Sequence, residues 1–513
     1  MLFNSPQFIF LFLPSAVLGF FLLGRSGKPS LALSWLVAAS LFFYSQANPW
    51  LIFVLLGSLF WNFAAGLVLA RRKSRLLLGL AIAGNLGALA WFKYAGFFVG
   101  LVDSLTGAAP FNLANVAVPL GISFYTFQQI SYVVDAYDGV SREDSLIRYF
   151  AFASFFPQLL AGPIVRHSEI VSQLRDPATY APQARNIALG VSAFAIGLFK
   201  KIIIADNLEP AANATFDLAV HGAYPPIDFA WIGATSYALQ LYFDFSAYSD
   251  MAIGLALIFN IRLPFNFSSP YKSASIIEFW ERWHITLTRF LTTYVYNPIA
   301  MRLTRARISA GKPGLRRSSF ELRPFLHLIA TPTILTMALS GLWHGAGLQF
   351  VAWGLLHGLM LVVNRAWRSA TATLRSLQGI RVPRAVGIPL TFFCVTVALV
   401  FFRANGLDHA FTVLGGLSGL ASGPNPAALD ADGGLKLLVL GLFIVWFLPN
   451  TQQWLGLVEC KMLAGWTSLR AAFDPGDRRL PRFLHGALAG VVLSVALLRL
   501  MGEAPAEFLY FTF

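Results

Sequence analysis

The chain has 513 residues, 57% of them hydrophobic and only 12% charged, which is about half the charged share of a soluble domain. So few charges cannot clothe a water-facing surface, and long apolar runs recur along the whole length, so a soluble globular fold is excluded and an all-α polytopic membrane protein is indicated. The net charge of +14 is carried in short loops between apolar runs, where it sets topology and attracts anionic lipid headgroups, so membrane lipid and not nucleic acid is the expected partner.

A span needs about 20 apolar residues. By that measure the candidate transmembrane helices are 7–24, 30–46, 49–70, 76–100, 116–135, 187–205, 229–258, 325–342, 345–364, 386–403, 435–455 and 484–501, or about 11–12 in all. The first is read as a retained helix, because no basic stretch precedes Phe8 and no small-residue cleavage site follows Leu23. Two apolar segments do not read as full spans. Residues 149–165 contain Pro157, Gly162 and Pro163, and residues 276–300 mix Trp280, Trp283, Phe290 and Tyr294 with Glu278, Glu281, Arg282 and Arg289. Both are expected to be re-entrant or in-plane helices, and such backbone persists at membrane depth only inside protein or along a cavity. Residues 1–420 and the helices of 421–513 are expected to form one membrane unit.

The loops support this order. With the N-terminus outside, the inner loops carry Arg25, Lys28, Arg71-Arg72-Lys73-Ser74-Arg75, Arg142, Arg148, Arg166, Arg175 and Arg185. Further along they carry Arg302, Arg305, Arg307, Lys312, Arg316, Arg317, Arg323, Arg365, Arg368, Arg375, Arg381 and Arg384, then Lys461, Arg470, Arg478, Arg479 and Arg482. Outer loops 103–115, 206–228 and 404–434 are expected to carry no Lys or Arg. Lys200 and Lys201 resist the pattern, because they fall near the outer end of their span. No inverted repeat of the kind that marks many transporters is visible.

Of the eight histidines, His221, His409, His167, His485 and His327 read as loop or interfacial residues. His344 falls in the short break between two spans, within Gly341-Leu342-Trp343-His344-Gly345. The flanking glycines permit close approach, and an ionisable group at membrane depth is costly enough to suggest function; the competing reading is a hydrogen-bonded histidine that holds the hairpin. His284, in Phe279-Trp280-Glu281-Arg282-Trp283-His284, is either a second functional histidine or an interfacial one among belt aromatics. His357 reads as a packing residue. The polar run Asp244, Ser246, Tyr248, Ser249 and Asp250, followed by Asn260, Arg262 and Asn266, reads as a helix-packing network, since buried carboxylates must be paired. Cys394 and Cys460 have no spacing that suggests a disulfide or a zinc site. No phosphate loop, Gly-x-Ser-x-Gly elbow or HExxH helix occurs, so no covalent acyl-enzyme, bound cofactor or metal is indicated. A histidine acting as general base on a hydroxyl needs none of these.

Several stretches in one order carry a resemblance. They are Val118-Pro119-Leu120-Gly121-Ile122-Ser123-Phe124-Tyr125, Phe155-Phe156-Pro157-Gln158-Leu159-Leu160-Ala161-Gly162-Pro163, Gly197-Leu198-Phe199-Lys200-Lys201, Phe243-Asp244-Phe245-Ser246-Ala247-Tyr248-Ser249-Asp250, Phe279 to Leu287 and Gly341 to Ala346. On these the chain resembles the membrane-bound O-acyltransferases, of the bacterial alginate O-acetyltransferase type, over roughly residues 1–420. The resemblance implies a ring of tilted helices around a thin centre with a tunnel joining the two faces. It implies residence in a bacterial inner membrane, with acetyl-CoA as cytosolic donor. It also implies an exported polysaccharide such as alginate as acceptor, and a periplasmic acetyl-relay protein as partner. The family's two signature histidines map onto His344, the more critical one, and His284, its partner; His344 is expected to take the hydroxyl proton and His284 or a nearby donor to stabilise the oxyanion or orient the acceptor, with the exchanged roles left open. The chain departs from the family where Ala300-Met301-Arg302-Leu303 stands in place of a Gly-Gly-Asn stretch, and where Ala247 stands in place of glycine. The alternatives left open are peptidoglycan, cellulose or teichoic acid (D-alanylation) as acceptor and, in another class, a transporter.

Overall fold

The computed structural model describes residues 1–107, 117–312, 314–315, 320–373, 377, 379–420, 431–457, 479–502 and 506–509, and every regular element among them is a helix. Cys460, Arg316, Arg317, Arg375, Lys461, Arg470 and Arg478 lie outside the described residues. The early helices are α1 (Phe8–Gly24), α2 (Pro29–Ser45), α3 (Pro49–Arg71), α4 (Arg75–Asp103) and α5 (Ile122–Asp138). Short α6 (Leu146–Ala153), α7 (Phe156–Leu159) and α8 (His167–Leu174) precede the long α9 (Ala184–Val220) and α10 (Ile227–Ile258). Then come α11 (Ile276–Trp280), α12 (Ile285–Leu291), α13 (Asn297–Ser309), α14 (Leu322–His344), α15 (Leu348–Thr373), α16 (Arg384–Arg403) and α17 (Leu407–Ser418). The last are α18 (Ala431–Phe447), α19 (Thr451–Trp454) and α20 (Arg479–Gly502).

Among the described residues seven helices are long and apolar enough to cross a membrane, namely α3, α4, α9, α10, α14, α15 and α16, with shorter apolar helices at Phe8–Gly24, Pro29–Ser45, Leu435–Phe447 and Gly486–Gly502. The expected span 116–135 is the exception. A helix does form there, but α5 carries Gln128, Gln129, Ser131 and Asp135, all buried, and a helix enclosed by neighbours need not be apolar. The two segments expected to be re-entrant or in-plane are each broken: α6 and α7 are separated at Ser154 and Phe155, and α11 and α12 at residues 281–284. Outer loops 206–228 and 404–434 contain more helix than expected. α9 continues to Val220, with Pro210 close behind a π-helical turn at Lys200–Ala205, and α17 occupies Leu407–Ser418.

The chain divides into two units, Met1–Ile203 with Phe243–Phe265 and Pro449–Thr512, and Ile204–Tyr242 with Asn266–Leu448. In the first unit a phenylalanine cluster forms the core. Phe3 lies 5.0 Å from Phe8 and 5.6 Å from Phe43, and Phe12 meets Phe156 edge-on at 5.2 Å. At Gly190 and Gly254, α9 and α10 touch main chain to main chain, because an added Cβ on either would lie 2.5 Å from the other's carbonyl oxygen. That approach lets the anomalous lysines reach acids. Lys200 Nζ lies 2.9 Å from Asp250 Oδ2, and Lys201 Nζ lies 2.8 Å from Asp244 Oδ1, the latter pair with side chains only 2% exposed. Thr451 and Gln452 also donate to Asp250, Lys201 donates to the Glu507 carbonyl, and the Leu509 N–H donates to Asp244 Oδ2. The outer-end lysines are thus internal counter-ions, and the Asp244–Asp250 run is a packing network.

His167 is not interfacial. It is 2% exposed, with Tyr132 and Phe152 rings 5.0 and 5.2 Å away and Ser141 Oγ on its Nδ1. Burial pushes its pKa down to about 4, against the opposing pull of Glu143, whose carboxylate is already taken by Arg148 and Arg175. The imidazole is therefore neutral in the folded chain and readily protonated once unfolded. Its contribution is fully present above about pH 6.5 and is lost as pH falls toward about 4. Thermal melts in detergent should fall across that window, and His167→Gln should flatten the slope; an unchanged slope would remove His167 as the cause.

In the second unit α14 and α15 form the tightest contact. A Cβ on Gly341 would lie 2.1 Å from the Phe350 carbonyl oxygen, and one on Gly354 would lie 2.2 Å from that of Met337. Neither oxygen can move without parting the helices. Gly341→Val should therefore cost about 1–3 kcal/mol, as overpacking does, and displace the hairpin, whereas Gly79→Ala, in open space, should be neutral or mildly stabilising. Equal melting temperatures for the two variants would contradict this packing.

Candidate active site

The second unit holds both candidate histidines. His344 is the last residue of α14, so the helix reaches two residues further than the sequence pattern indicated. It is 6% exposed. Its ring centroid lies 4.8 Å from Trp343, 5.1 Å from Trp353 of α15 and 5.1 Å from Phe402 of α16, each near edge-on. The Gly341–Phe350 contact sets the hairpin that brings Trp353 beneath His344.

His284 is 1% exposed and occupies the position before α12 in a left-handed conformation, φ +43° and ψ +54°. A non-glycine residue held there stores strain, a feature that collects at functional sites. Two main-chain bonds clamp the turn: Ser268 N–H donates to the Arg282 carbonyl and Ile285 N–H to the Asn266 carbonyl, both at 2.9 Å. Within this clamp the Asn266 Oδ1 lies 2.9 Å from His284 Nδ1 and 2.9 Å from Thr286 Oγ1, and accepts from the Thr286 N–H at 3.4 Å.

Trp343 links the two histidines. Its ring lies 6.4 Å from that of His284 as well as 4.8 Å from that of His344. The cluster extends through Trp353 to His357, 4.8 Å away, and His357 Nδ1 accepts from Trp280 Nε1 at 3.3 Å. His357 is buried and serves as the wall of the cluster. The result is two imidazoles sharing an indole in a buried aromatic cluster, the kind of surrounding in which polar contacts act strongly.

Charged groups anchor the turn from one side. Glu278 accepts from Arg282 at 2.7 Å and from Arg384 of α16 at 3.3 Å, and takes the Ala274 N–H at 2.8 Å. Arg365 of α15 donates to Tyr296 and Thr333, tying α15 to the π-helical turn after α12 and to α14. Elsewhere in this unit Arg403 donates to Asn213 at 2.8 Å and lies over the Phe216 ring. Among the described residues no three or more of His, Cys, Asp and Glu gather as a metal site.

Sequence patterns singled out both histidines but missed what surrounds them. Trp343 was visible only as a neighbour of His344, Trp353 and Phe402 as apolar residues of spans, and Asn266 as one of several polar groups in a packing network. No local signal couples Asn266 to a histidine 18 residues later.

The family model described as MBOAT, the membrane-bound O-acyltransferase family, matches residues 135–310, a stretch that includes His284. A peptidoglycan O-acetyltransferase of Helicobacter pylori is 40% identical over 450 residues, 82% of this chain and 80% of the relative. A "Probable alginate O-acetylase" of Pseudomonas aeruginosa is 37% identical over 80% of this chain and 74% of its own length. A teichoic acid D-alanyltransferase of Bacillus subtilis is 26% identical over 58% of this chain and 71% of its own.

Proposed function

The chain belongs to the membrane-bound O-acyltransferase family, and we propose that within it this multi-pass enzyme transfers acetyl groups from cytosolic acetyl-CoA toward hydroxyls of an exported cell-envelope glycan. The observation that carries the acetyl assignment is the contrast among relatives. Those named as O-acetylating proteins match about four-fifths of the chain at 34–40% identity, whereas those named as D-alanyltransferases match 57–58% at 26–27%. Peptidoglycan and alginate are the two acceptors named among the former, and both are glycans that present hydroxyls outside the cytoplasmic membrane. A periplasmic relay protein that carries the acetyl group onward suits an acceptor polymer too large to enter a buried site. Residence in the inner membrane follows from a donor made in the cytosol.

The chemistry proposed is direct attack. The acceptor oxygen bonds to the thioester carbonyl carbon, one imidazole of the His284–His344 pair takes the hydroxyl proton, and the other donates to the developing oxyanion. The C–S bond then breaks and the thiolate takes the proton as the free thiol. Support for this reading comes from the shared Trp343 contact, which holds both imidazoles in one buried cluster.

The test is turnover by purified protein in nanodiscs with labelled acetyl-CoA, scored by free-thiol release and by mass analysis of muropeptide and uronate acceptors. Acetyl ester on either glycan supports the reading and names the acceptor. Passage of substrate across the membrane without thiol release would overturn it in favour of transport.

A further inference from the structure

We propose that the Trp353 indole N–H is a catalytic hydrogen-bond donor, which binds the acyl carbonyl oxygen and holds the oxyanion that forms on it. This rests on the catalytic reading of the histidine cluster, and it adds a donor to that cluster whichever imidazole takes the hydroxyl proton.

Trp353 is 3% exposed, yet its Nε1 is buried without a hydrogen-bond partner. An indole nitrogen can only donate. A buried one ordinarily finds an acceptor, because an unmade bond forfeits the hydration that the group had in water. The neighbours explain why the protein supplies none. The ring is walled by His344 and Phe402, each 5.1 Å away between centroids, by His357 at 4.8 Å and by Trp280 at 5.9 Å. Phe402 has no lone pair to offer. The Nδ1 lone pair of His357 is taken by the Trp280 N–H at 3.3 Å, so the other nitrogen of His357 carries hydrogen and can only donate. Two indoles thus stand against one histidine, one with its N–H satisfied and the other with its N–H free.

A free donor is costly to keep in a core and useful where negative charge is about to appear. The Trp353 ring stands edge-on to His344, at 87°. The residue after it, Gly354, meets the Met337 main chain where α15 closes on α14, so the indole is already fixed when charge develops. A group that only donates suits the acyl oxygen and not the attacking hydroxyl, whose lone pair must stay free for the carbonyl carbon. In the step, the acceptor oxygen bonds to the thioester carbonyl carbon and one imidazole takes the hydroxyl proton. The carbonyl π pair moves onto the oxygen that Trp353 faces. The C=O bond then re-forms as the C–S bond breaks, and the thiolate leaves with the proton from the imidazolium. The indole keeps its own hydrogen throughout. The competing arrangement is an N–H resting on the face of the Phe402 ring, a weaker contact that would persist with or without a ligand.

Two changes at Trp353, one control and one spectrum test this. Trp353→Phe keeps an aromatic ring against His344 and removes the N–H. It should lower kcat about 10²–10³-fold, the loss seen when one oxyanion donor is removed, with KM for acetyl-CoA little changed. Should that variant not fold, 3-benzothienylalanine at position 353, with sulfur in place of the N–H, keeps the shape of the indole and should show the same loss. Trp446 is the control: its Nε1 is likewise buried without a partner, but the ring it meets is Phe392, at 5.4 Å. Trp446→Phe should keep wild-type kcat. The spectrum uses wild-type protein labelled with nitrogen-15 tryptophan, the Trp353 indole signal being the one missing from the benzothienyl protein. Binding of a methyl-ketone analogue of acetyl-CoA, with methylene in place of the thioester sulfur, should move that indole proton downfield. Wild-type kcat in the benzothienyl protein would overturn the inference. So would an indole signal that stays in place when the ketone binds, which is the outcome for an N–H held on Phe402. Full activity in both His344→Ala and His284→Ala would instead sink the catalytic reading, whereas inactive histidine variants beside a fully active benzothienyl protein remove only the indole's role.

Discussion

Replacing His344 or His284 with alanine is expected to lower acyl transfer by about 10²–10⁴-fold, the share that a positioned acid or base supplies. Binding of the donor should change little, because neither imidazole is needed to hold the thioester in place before reaction; the loss belongs in kcat. The two sites should respond differently to glutamine. Its amide N–H can donate but is no base at neutral pH, so glutamine should keep more activity than alanine at the histidine that donates to the oxyanion and no more than alanine at the one that takes the proton. Both side chains are buried against aromatic rings, so truncation also opens a cavity, and melting temperatures must be measured alongside. Transfer at wild-type rate by both alanine variants would end the catalytic proposal. A stability loss that fully accounts for the missing activity would end it as well.

Breaking the Lys201–Asp244 pair is expected to have the largest effect on folding. Removing one member of a buried pair strands the other, at a cost of about 3–5 kcal/mol. Lys201→Met removes the cation facing Asp244, which keeps the Leu509 N–H, and Asp244→Asn removes the anion facing Lys201, which keeps the Glu507 carbonyl. Both should lower the melting temperature and loosen the segment about Glu507 and Leu509, which limited proteolysis near those residues would detect. The double change Lys201→Met with Asp244→Leu should recover much of the loss, because apolar replacement of a whole buried pair is often neutral. If the single and double variants melt alike, the pair does not have the energetic weight argued here.

Much of the molecule was legible from composition and order along the chain. Eleven of the apolar segments expected from the sequence correspond to helices long or apolar enough to be counted as spans or shorter apolar helices, because lipid forces each such segment to satisfy its own backbone. The exception, α5, shows the limit of that logic: a helix walled in by protein can carry Gln129 and Asp135 in its interior. Lys200 and Lys201 looked misplaced for the same reason. The positive-inside rule treats lysines as loop residues, and these two answer to Asp250 and Asp244 instead. His167 looked interfacial because its neighbours in sequence are basic, yet Tyr132 and Phe152 enclose it.

The sequence alone determined that the chain is a helical membrane protein, and drew attention to His344 and His284, because hydropathy and the rarity of ionisable groups at membrane depth are local properties. What only the tertiary structure decided is how those histidines are set. Gly341 lets α15 close on α14 and bring Trp353 under His344, and Trp343 stands between the two imidazoles. Asn266, 18 residues before His284, faces its Nδ1. Each of these depends on side chains brought together by folding, and the direction of a hydrogen bond between them is set by geometry that no local pattern of residues encodes.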